Sequence, residues 1–182
     1  YLLTELRCSS NPLNSLNLTQ NIDLTVLFCY NNHLTNLDLT QNTDLTRLYC
    51  FNNQLSNLDL AQNITLLFLD CSDNLISSLN LNHNNDLTNI DCYNNLLINL
   101  DLTQNNDLTH LDFSYNQLTS ININQNLTLS SLICHHNQLT SIDATQNINL
   151  YTLFCDFNQL NCLNVKNTNL GNFRTVSNPN LI

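Results

Sequence analysis

A segment of 21 residues repeats along almost the whole chain of 182 residues, and this period constrains the fold more than any other feature. The repeat from Leu24 reads LTVLFCYNNHLTNLDLTQNTD, and the next, from Leu45, reads LTRLYCFNNQLSNLDLAQNIT. Eight repeats begin at residues 3, 24, 45, 66, 87, 108, 129 and 150, the last one residue short, and a partial ninth begins at residue 170. Because fixed periods of this length are typical of stacked units, we expect residues 1–182 to form a single array.

Apolar residues recur within each repeat at positions 1, 4, 6, 11, 14 and 16, counted from its first Leu. The alternation at positions 4 and 6 is the two-residue period of a strand, and no repeat carries a long helical pattern. The sequence therefore predicts a mainly β solenoid with one short parallel strand per coil, a second extended segment at positions 14 to 16, and little or no α-helix. Strands about 4.8 Å apart would give an array roughly 40 Å long.

Asparagine recurs at positions 9 and 19, where each coil turns a corner. A buried amide can satisfy the backbone groups that a turn leaves unpaired, so we interpret both columns as structural. The chain has a single Gly, and we expect Asn to supply the positive-φ conformations that Gly usually adopts. Aspartates recur at position 15, and we expect them to be turn groups on the other side of the coil: Asp38, Asp59, Asp101 and Asp143.

Seven of the eight cysteines occupy position 6, and Phe113 fills the one vacancy in that column. Parallel Cβ vectors on adjacent strands disfavour the disulfide torsion, and sulfurs in a straight row cannot surround a zinc ion. We therefore expect buried free thiols, with a metal or redox role as the alternative. Cys162 lies outside this column.

The pattern LxxLxCxxNxLxxLDLxxNxx resembles the 21-residue leucine-rich repeats of bacterial internalin-like proteins, and the Cys column resembles their cysteine-ladder subgroup. The resemblance implies a right-handed solenoid with the sheet on its concave face, extended or 3-10 segments on the convex face, and partner binding by concave side chains. It also implies a secreted or bacterial cell-surface protein. The caps of that family are not visible, so we expect a fragment of a longer chain whose open ends could self-associate.

Positions 2, 3, 5, 7 and 8 are free of the repeat constraint, yet ten of the thirteen aromatic residues fall there. Clustered exposed aromatics mark binding surfaces, although cross-strand packing alone is the alternative. The candidate binding residues are Phe28, Tyr30, Tyr49, Phe51, Asp70, Asp91, Asp112, Tyr93, Tyr115, His135, Phe154 and Phe157.

Position 5 places Asp70, Asp91 and Asp112 on adjacent strands, between two aromatic zones and with an Arg at each end of the column. Three like charges in a row could face a cationic group of a partner, or remain a solvated acidic stripe. A calcium ion held by Asp70, Asp73 and Asp91 is a weaker candidate. Nearby His110, His135 and His136 could add ligands, but neighbouring His135 and His136 would point to different sides of a strand.

The charge balance excludes nucleic acid as a partner, because four Lys and Arg against fourteen Asp and Glu cannot neutralise phosphates. No apolar run is long enough for a transmembrane helix. No nucleophile with its base and no phosphate-binding motif occurs, so we expect no catalysis and no cofactor. Two hypotheses remain: a module for bacterial adhesion that recognises a protein or a carbohydrate on another surface, and a structural spacer in a larger surface protein.

Overall fold

The computed structural model describes residues 2–181 and contains eleven strands of three residues each. Nine lie at positions 3 to 5 of successive repeats: β1 (Glu5–Arg7), β2 (Val26–Phe28), β3 (Arg47–Tyr49), β4 (Phe68–Asp70), β5 (Asn89–Asp91), β6 (His110–Asp112), β7 (Ser131–Ile133), β9 (Thr152–Phe154) and β11 (Asn172–Arg174). The other two are β8 (Ser141–Asp143) and β10 (Cys162–Asn164). Residues 2–181 form no α- or 3-10 helix, and so include none long and apolar enough to cross a membrane.

The nine strands form one parallel sheet in the order β1-β2-β3-β4-β5-β6-β7-β9-β11. Equivalent residues pair across it, so that Leu27 lies opposite Leu48 and Leu48 opposite Leu69. The predicted solenoid, with one strand per coil, is therefore confirmed. Among residues 2–181 the second extended segment forms a ladder only where β8 pairs with β10.

The core is a continuous column of leucines and cysteines that runs through the stacked coils. In β3 the central Leu48 is fully buried, whereas Arg47 and Tyr49 on either side face outward. This alternation follows from the pleat of the strand, whose successive side chains point to opposite faces. Each fully buried Leu contributes about 1.5–3 kcal/mol relative to exposure, which explains why the repeat fixes these positions.

The cysteines of position 6 line this core as free thiols, as predicted. Six of them are buried and Cys8, in the first coil, is half-buried. Phe113 takes the vacant place and is fully buried. Burial raises the pKa of the Cys50 and Cys92 thiols well above the ordinary value, which keeps them protonated. Cys162, on β10, is exposed.

The two asparagine columns tie neighbouring coils together, as predicted. Asn53 Nδ2 donates to the carbonyls of Cys29 and Cys50, each at 3.0 Å. Its Oδ1 accepts the backbone N–H of Leu34 at 3.0 Å. At position 19, Asn63 Nδ2 likewise donates to carbonyls of the preceding coil. Loss of such an amide would leave several buried backbone groups unpaired, which is costly.

Asparagine supplies several positive-φ residues, as expected, but outside the two structural columns: of the ten positive-φ residues among residues 2–181, nine lie at position 8 and the tenth is Asn167. Every coil has a left-handed residue there, with φ between 50° and 58°: Ser10, Asn31, Asn52, Asp73, Asn94, Tyr115, His136, Phe157 and Ser177. Asn, Asp and His tolerate this conformation, but other bulky side chains adopt it at a cost of roughly 1–2 kcal/mol. Tyr115 and Phe157 therefore occupy a backbone conformation that does not suit them.

The last coils are less well covered than the central ones. Phe173, at the centre of β11, is 44% exposed, whereas the equivalent Leu153 of β9 is fully buried. The single glycine, Gly171, lies under the ring of Tyr151: a Cβ at Gly171 would stand 2.2 Å from Tyr151 Cε2. A side chain at this position would thus require the exposed Tyr151 ring to move, and Gly171 does not have a positive φ.

Candidate functional site

The candidate site lies on the side of the sheet that points away from the core. Positions 3 and 5 of the nine strands form its centre, and positions 7 and 8 extend it beyond the strand ends; we call this surface the outer face. All twelve residues that the sequence predicted lie at positions 5, 7 or 8. Parallel, in-register pairing places residues of the same position directly beside one another, so each position forms a column across the coils.

The N-terminal part of the outer face carries stacked aromatic rings. Phe28 and Tyr49 stack with their centroids 4.5 Å apart and their planes 8° apart. The guanidinium of Arg7 lies over the Phe28 ring, 4.2 Å from its centre. At position 7, Tyr30 and Phe51 stack in the same manner at 4.4 Å. These predicted residues therefore form two neighbouring stacks.

The C-terminal part carries a third stack at position 8, which we call the position-8 stack: Tyr115, His136 and Phe157. The Tyr115 and His136 rings are 4.3 Å apart, and the His136 and Phe157 rings are 4.2 Å apart. Tyr115 is 50% exposed and Phe157 46% exposed, so the stack meets solvent. His136 was not among the binding residues predicted from the sequence. Its position between Tyr115 and Phe157 in the same column could have indicated that it belongs to the site.

The histidine pair does not alternate as a strand would require. β7 ends at Ile133, and His136 has a φ of 54°, so the backbone turns between the two residues. The rings of His135 and His136 lie 5.4 Å apart at 81° to each other. Both contact Tyr115, which means that the expectation of opposite sides was wrong. Burial lowers the pKa of His135.

Asp70 and Asp112 make the same local hydrogen bonds in the acidic centre. Asp70 Oδ1 accepts the Ser72 hydroxyl at 2.6 Å and the Ser72 backbone N–H at 3.2 Å. Asp112 Oδ1 accepts the corresponding groups of Ser114 at 2.6 and 2.9 Å. Burial nevertheless raises the pKa of Asp70 to about 6, and it raises the pKa of Asp112 as well.

Asp91, between these two aspartates, has a different partner. Its Oδ1 lies 3.0 Å from His110 Nε2 on the next strand. This hydrogen bond raises the pKa of His110, because it favours the charged imidazolium. The acidic centre is therefore two serine-bound carboxylates around one carboxylate–histidine pair. Since both serine hydroxyls donate to carboxylates, neither is hydrogen-bonded to a histidine that could act as its base.

The calcium candidate finds no support in this geometry. Within residues 2–181 no three His, Cys, Asp or Glu side chains converge in a way that could hold a metal ion. Asp73 stands apart at position 8, where its Oδ1 accepts Asn94 Nδ2 at 2.6 Å. Asp70, Asp73 and Asp91 therefore serve separate local contacts.

Asp156 is a further carboxylate that the sequence did not single out. It lies at position 7 but is fully buried, and its Oδ1 accepts the Val176 N–H at 2.9 Å. Arg174 Nε stands 3.1 Å from Asp156 Oδ2, and the Arg174 guanidinium lies 5.2 Å from the Phe154 ring centre. The predicted residue Phe154 is thus part of a C-terminal cluster with its own cation.

Solved structures with this architecture include a domain described as the functional domain of InlJ from Listeria monocytogenes, which includes a cysteine ladder. It is 33% identical, covers 98% of this chain and 50% of its own, and has a TM-score of 0.64. A leucine-rich-repeat protein of Leptospira interrogans is 22% identical over 93% of this chain and 48% of its own, with a TM-score of 0.87. Internalin F of Listeria monocytogenes is 23% identical over 88% and 54%, with a TM-score of 0.84.

The latter two likenesses concern the fold alone, because their identities are 22% and 23%. The chain spans about half the length of each of the three structures, namely 50%, 48% and 54%. No protein-family model and no curated protein matches the chain.

Proposed function

Because the chain is a leucine-rich-repeat array of the internalin-like class with a cysteine ladder, we propose that it is a non-catalytic binding module whose outer face recognises a protein. Leucine-rich repeats of this class suggest protein binding as the general role. The proposed setting is adhesion, on a bacterial surface or after secretion. The buried, protonated cysteine thiols suit such a setting, since oxidants reach them only with difficulty.

The observation that carries this proposal is the position-8 stack. Tyr115, His136 and Phe157 are bulky residues in left-handed backbone, at a position where other coils place Asn, Asp or Ser. They are also partly exposed, so burial in the core does not repay the cost. Backbone strain together with exposed aromatics is typical of sites that contact a ligand.

The stacking favours a protein over a carbohydrate as the ligand. A sugar binds an aromatic residue by laying its C–H groups on the electron-rich face of the ring. In the three stacks most ring faces are covered by the next ring, at 4.2 to 4.5 Å. The surface therefore offers mainly ring edges, which carry partial positive charge and suit carbonyls, carboxylates and the faces of partner aromatics.

The proposal can be tested with two arrays, one of purified extracellular proteins and one of glycans, probed with the labelled chain. We expect saturable binding on the protein array and none on the glycan array. Replacing Tyr115, His136 and Phe157 by Asn, the residue that position 8 carries in other coils, should weaken binding to the protein hits at least tenfold, since aromatic anchors dominate interfaces.

The matched control replaces exposed apolar residues outside the outer face, Ile64 and Ile148, which are 58% and 59% exposed. This Ile64→Ser/Ile148→Ser variant should bind as the original chain does. Circular dichroism and urea unfolding verify that both variants are folded. Binding to glycans alone, or equal binding by the aromatic variant and the control, would overturn the proposal. The second of these results is what a structural spacer predicts.

A further inference from the structure

A small notch on the outer face lies at the N-terminal end of the position-8 stack. It is lined by Asp73, Tyr93, Asn94 and Tyr115. Asp73, Asn94 and Tyr115 occupy position 8 in three successive coils, so the notch runs along this column and ends at the Tyr115 ring. One side of the notch therefore carries a carboxylate and an amide, and the other side is aromatic.

One face of the Tyr115 ring is directed towards the notch. His136 covers one face, with the ring centroids 4.3 Å apart and the planes 10° apart. Because His136 belongs to the following coil, the opposite face of Tyr115 is directed towards the preceding coil, where position 8 is Asn94. Among residues 2–181 neither a ring nor a cation stacks on that face, and Tyr115 lines the notch there beside Asn94.

Two other aromatic rings of the outer face each have an arginine guanidinium over one ring face. Arg7 lies over Phe28 at 4.2 Å, and Arg174 lies over Phe154 at 5.2 Å. A cation over a ring face is attracted by the negative face of the ring quadrupole. These are the two cation–π contacts among residues 2–181, and neither involves Tyr115.

The carboxylate of Asp73 adds a counter-charge beside this ring face. Its Oδ1 is held by Asn94 Nδ2 at 2.6 Å, which fixes the carboxylate at the notch. The chain has four Lys and Arg against fourteen Asp and Glu, so a partner is the natural source of a cation. A carboxylate beside an aromatic face suits an ammonium or a guanidinium group.

We propose that this notch binds one cationic side chain, a lysine or an arginine, of the protein partner, with Asp73 pairing the charge and the side of the Tyr115 ring that faces the notch stacking against it. The inference rests on the proposed function for the source of the cation, and it names the chemistry that anchors the partner. It also explains why an acidic outer face is combined with aromatic residues.

The test uses single amino acids as probes, which separates the notch from the rest of the interface. Nα-acetyl-lysine amide and Nα-acetyl-arginine amide are titrated into the folded chain, with Nα-acetyl-norleucine amide as the neutral control. Amide cross-peaks of Asp73, Asn94 and Tyr115 in nitrogen–proton correlation spectra should shift saturably with a cationic probe and not with norleucine. Asp73→Asn and Tyr115→Asn should each raise the Kd by about threefold or more.

Both substitutions introduce the residue type that Asn52 and Asn94 already provide at position 8, so the coil should retain its fold. Asp101→Asn, far from the notch, should leave the Kd unchanged. Equal shifts with norleucine, or a Kd that neither notch variant alters, would overturn the inference. Failure of the proposed function gives a different result. In that case the lysine probe would still bind the notch, but substituting the stacked aromatic residues would leave binding to proteins unchanged.

Discussion

Asp70 on the outer face and Asp101 on the opposite side of the coil share one hydrogen-bonding motif, but their pKa values are shifted in opposite directions. Asp70 Oδ1 accepts the hydroxyl and backbone N–H of Ser72, at 2.6 and 3.2 Å. Asp101 Oδ1 accepts the same groups of Thr103, at 2.8 and 2.9 Å. Burial raises the pKa of Asp70 to about 6, whereas the hydrogen bonds from Thr103 hold the pKa of Asp101 below its ordinary value.

The difference shows that the motif does not determine the role of the carboxylate. Both motifs favour the ionised form, but the neighbours of Asp70 remove water from it and place Asp91 and Asp73 nearby. Asp101 therefore supports the folded coil at neutral pH, while ionised Asp70 opposes it. A carboxylate that opposes folding and is only half-buried is available to a partner, which agrees with the proposed binding role of the outer face.

The largest change in the free energy of unfolding should come from substituting Asp156. This substitution tests whether a nearby cation makes a buried carboxylate stabilise the fold, in contrast to Asp70. Asp156 is fully buried like the core, but it is hydrogen-bonded to Val176 N and stands beside Arg174. Asp156→Ala should lower the free energy of unfolding by about 2–3 kcal/mol, because it leaves a buried donor and an arginine without their acceptor.

Urea unfolding at pH 7 measures this loss, and Asp156→Asn is the control that keeps an acceptor for Val176 N while removing the charge. Asp156→Asn should lower the free energy of unfolding by less than Asp156→Ala does. A gain in stability for either variant would mean that Arg174 does not compensate the buried charge.

Asp70→Asn should change the free energy of unfolding in the opposite direction to Asp156→Ala, and by a smaller amount. A raised pKa means that the folded state holds its proton more tightly, so stability falls as the pH rises from about 4 to about 6. The substitution should raise the free energy of unfolding at pH 7 by about 1–2 kcal/mol, after allowance for solvent screening of a half-buried group.

Urea unfolding at pH 4.5 and at pH 7 checks this, since the gain from Asp70→Asn should be much smaller at the lower pH. Asp112→Asn is the matched variant, because burial raises the pKa of Asp112 too. A loss of stability at pH 7 in both variants would show that the outer-face carboxylates support the fold as Asp101 does.

The fold could be predicted from the sequence because every core and turn position is repeated in each coil. Leu48, Cys50 and Asn53 recur in register in the neighbouring repeats, and such a period leaves little choice of architecture. The column from Arg7 to Arg174 followed directly, since in-register pairing makes equivalent residues neighbours.

For the candidate site, the sequence predicted which repeat positions lie on the outer face, but not the backbone conformation or the side-chain contacts at those positions. Position 8 holds Ser, Asn, Asp, Tyr, His or Phe, so no residue type reveals that its backbone is left-handed. The sequence also could not show that neighbouring rings cover each other's faces, which depends on side-chain rotamers. Asp70 and Asp101 have almost the same local sequence, and it is the surroundings of Asp70, chiefly its burial and also the nearby Asp91 and Asp73, that separate their pKa values.

The smallest effect should come from Asp101→Asn, for which the chain supplies its own comparison. Asn80 and Asn122 occupy the same position 15 and accept the backbone N–H two residues ahead, each at 3.1 Å. The fold therefore tolerates Asn there, and only the charge-dependent part of the hydrogen bond from Thr103 is lost. Because the pKa of Asp101 is lowered in the folded state, its contribution is present above about pH 4 and disappears as the pH falls below the folded-state pKa. The urea midpoint of Asp101→Asn should thus lie slightly below that of the unchanged chain at pH 7, and the difference should shrink as the pH falls below about 4, whereas a higher midpoint at pH 7 would remove the contrast with Asp70.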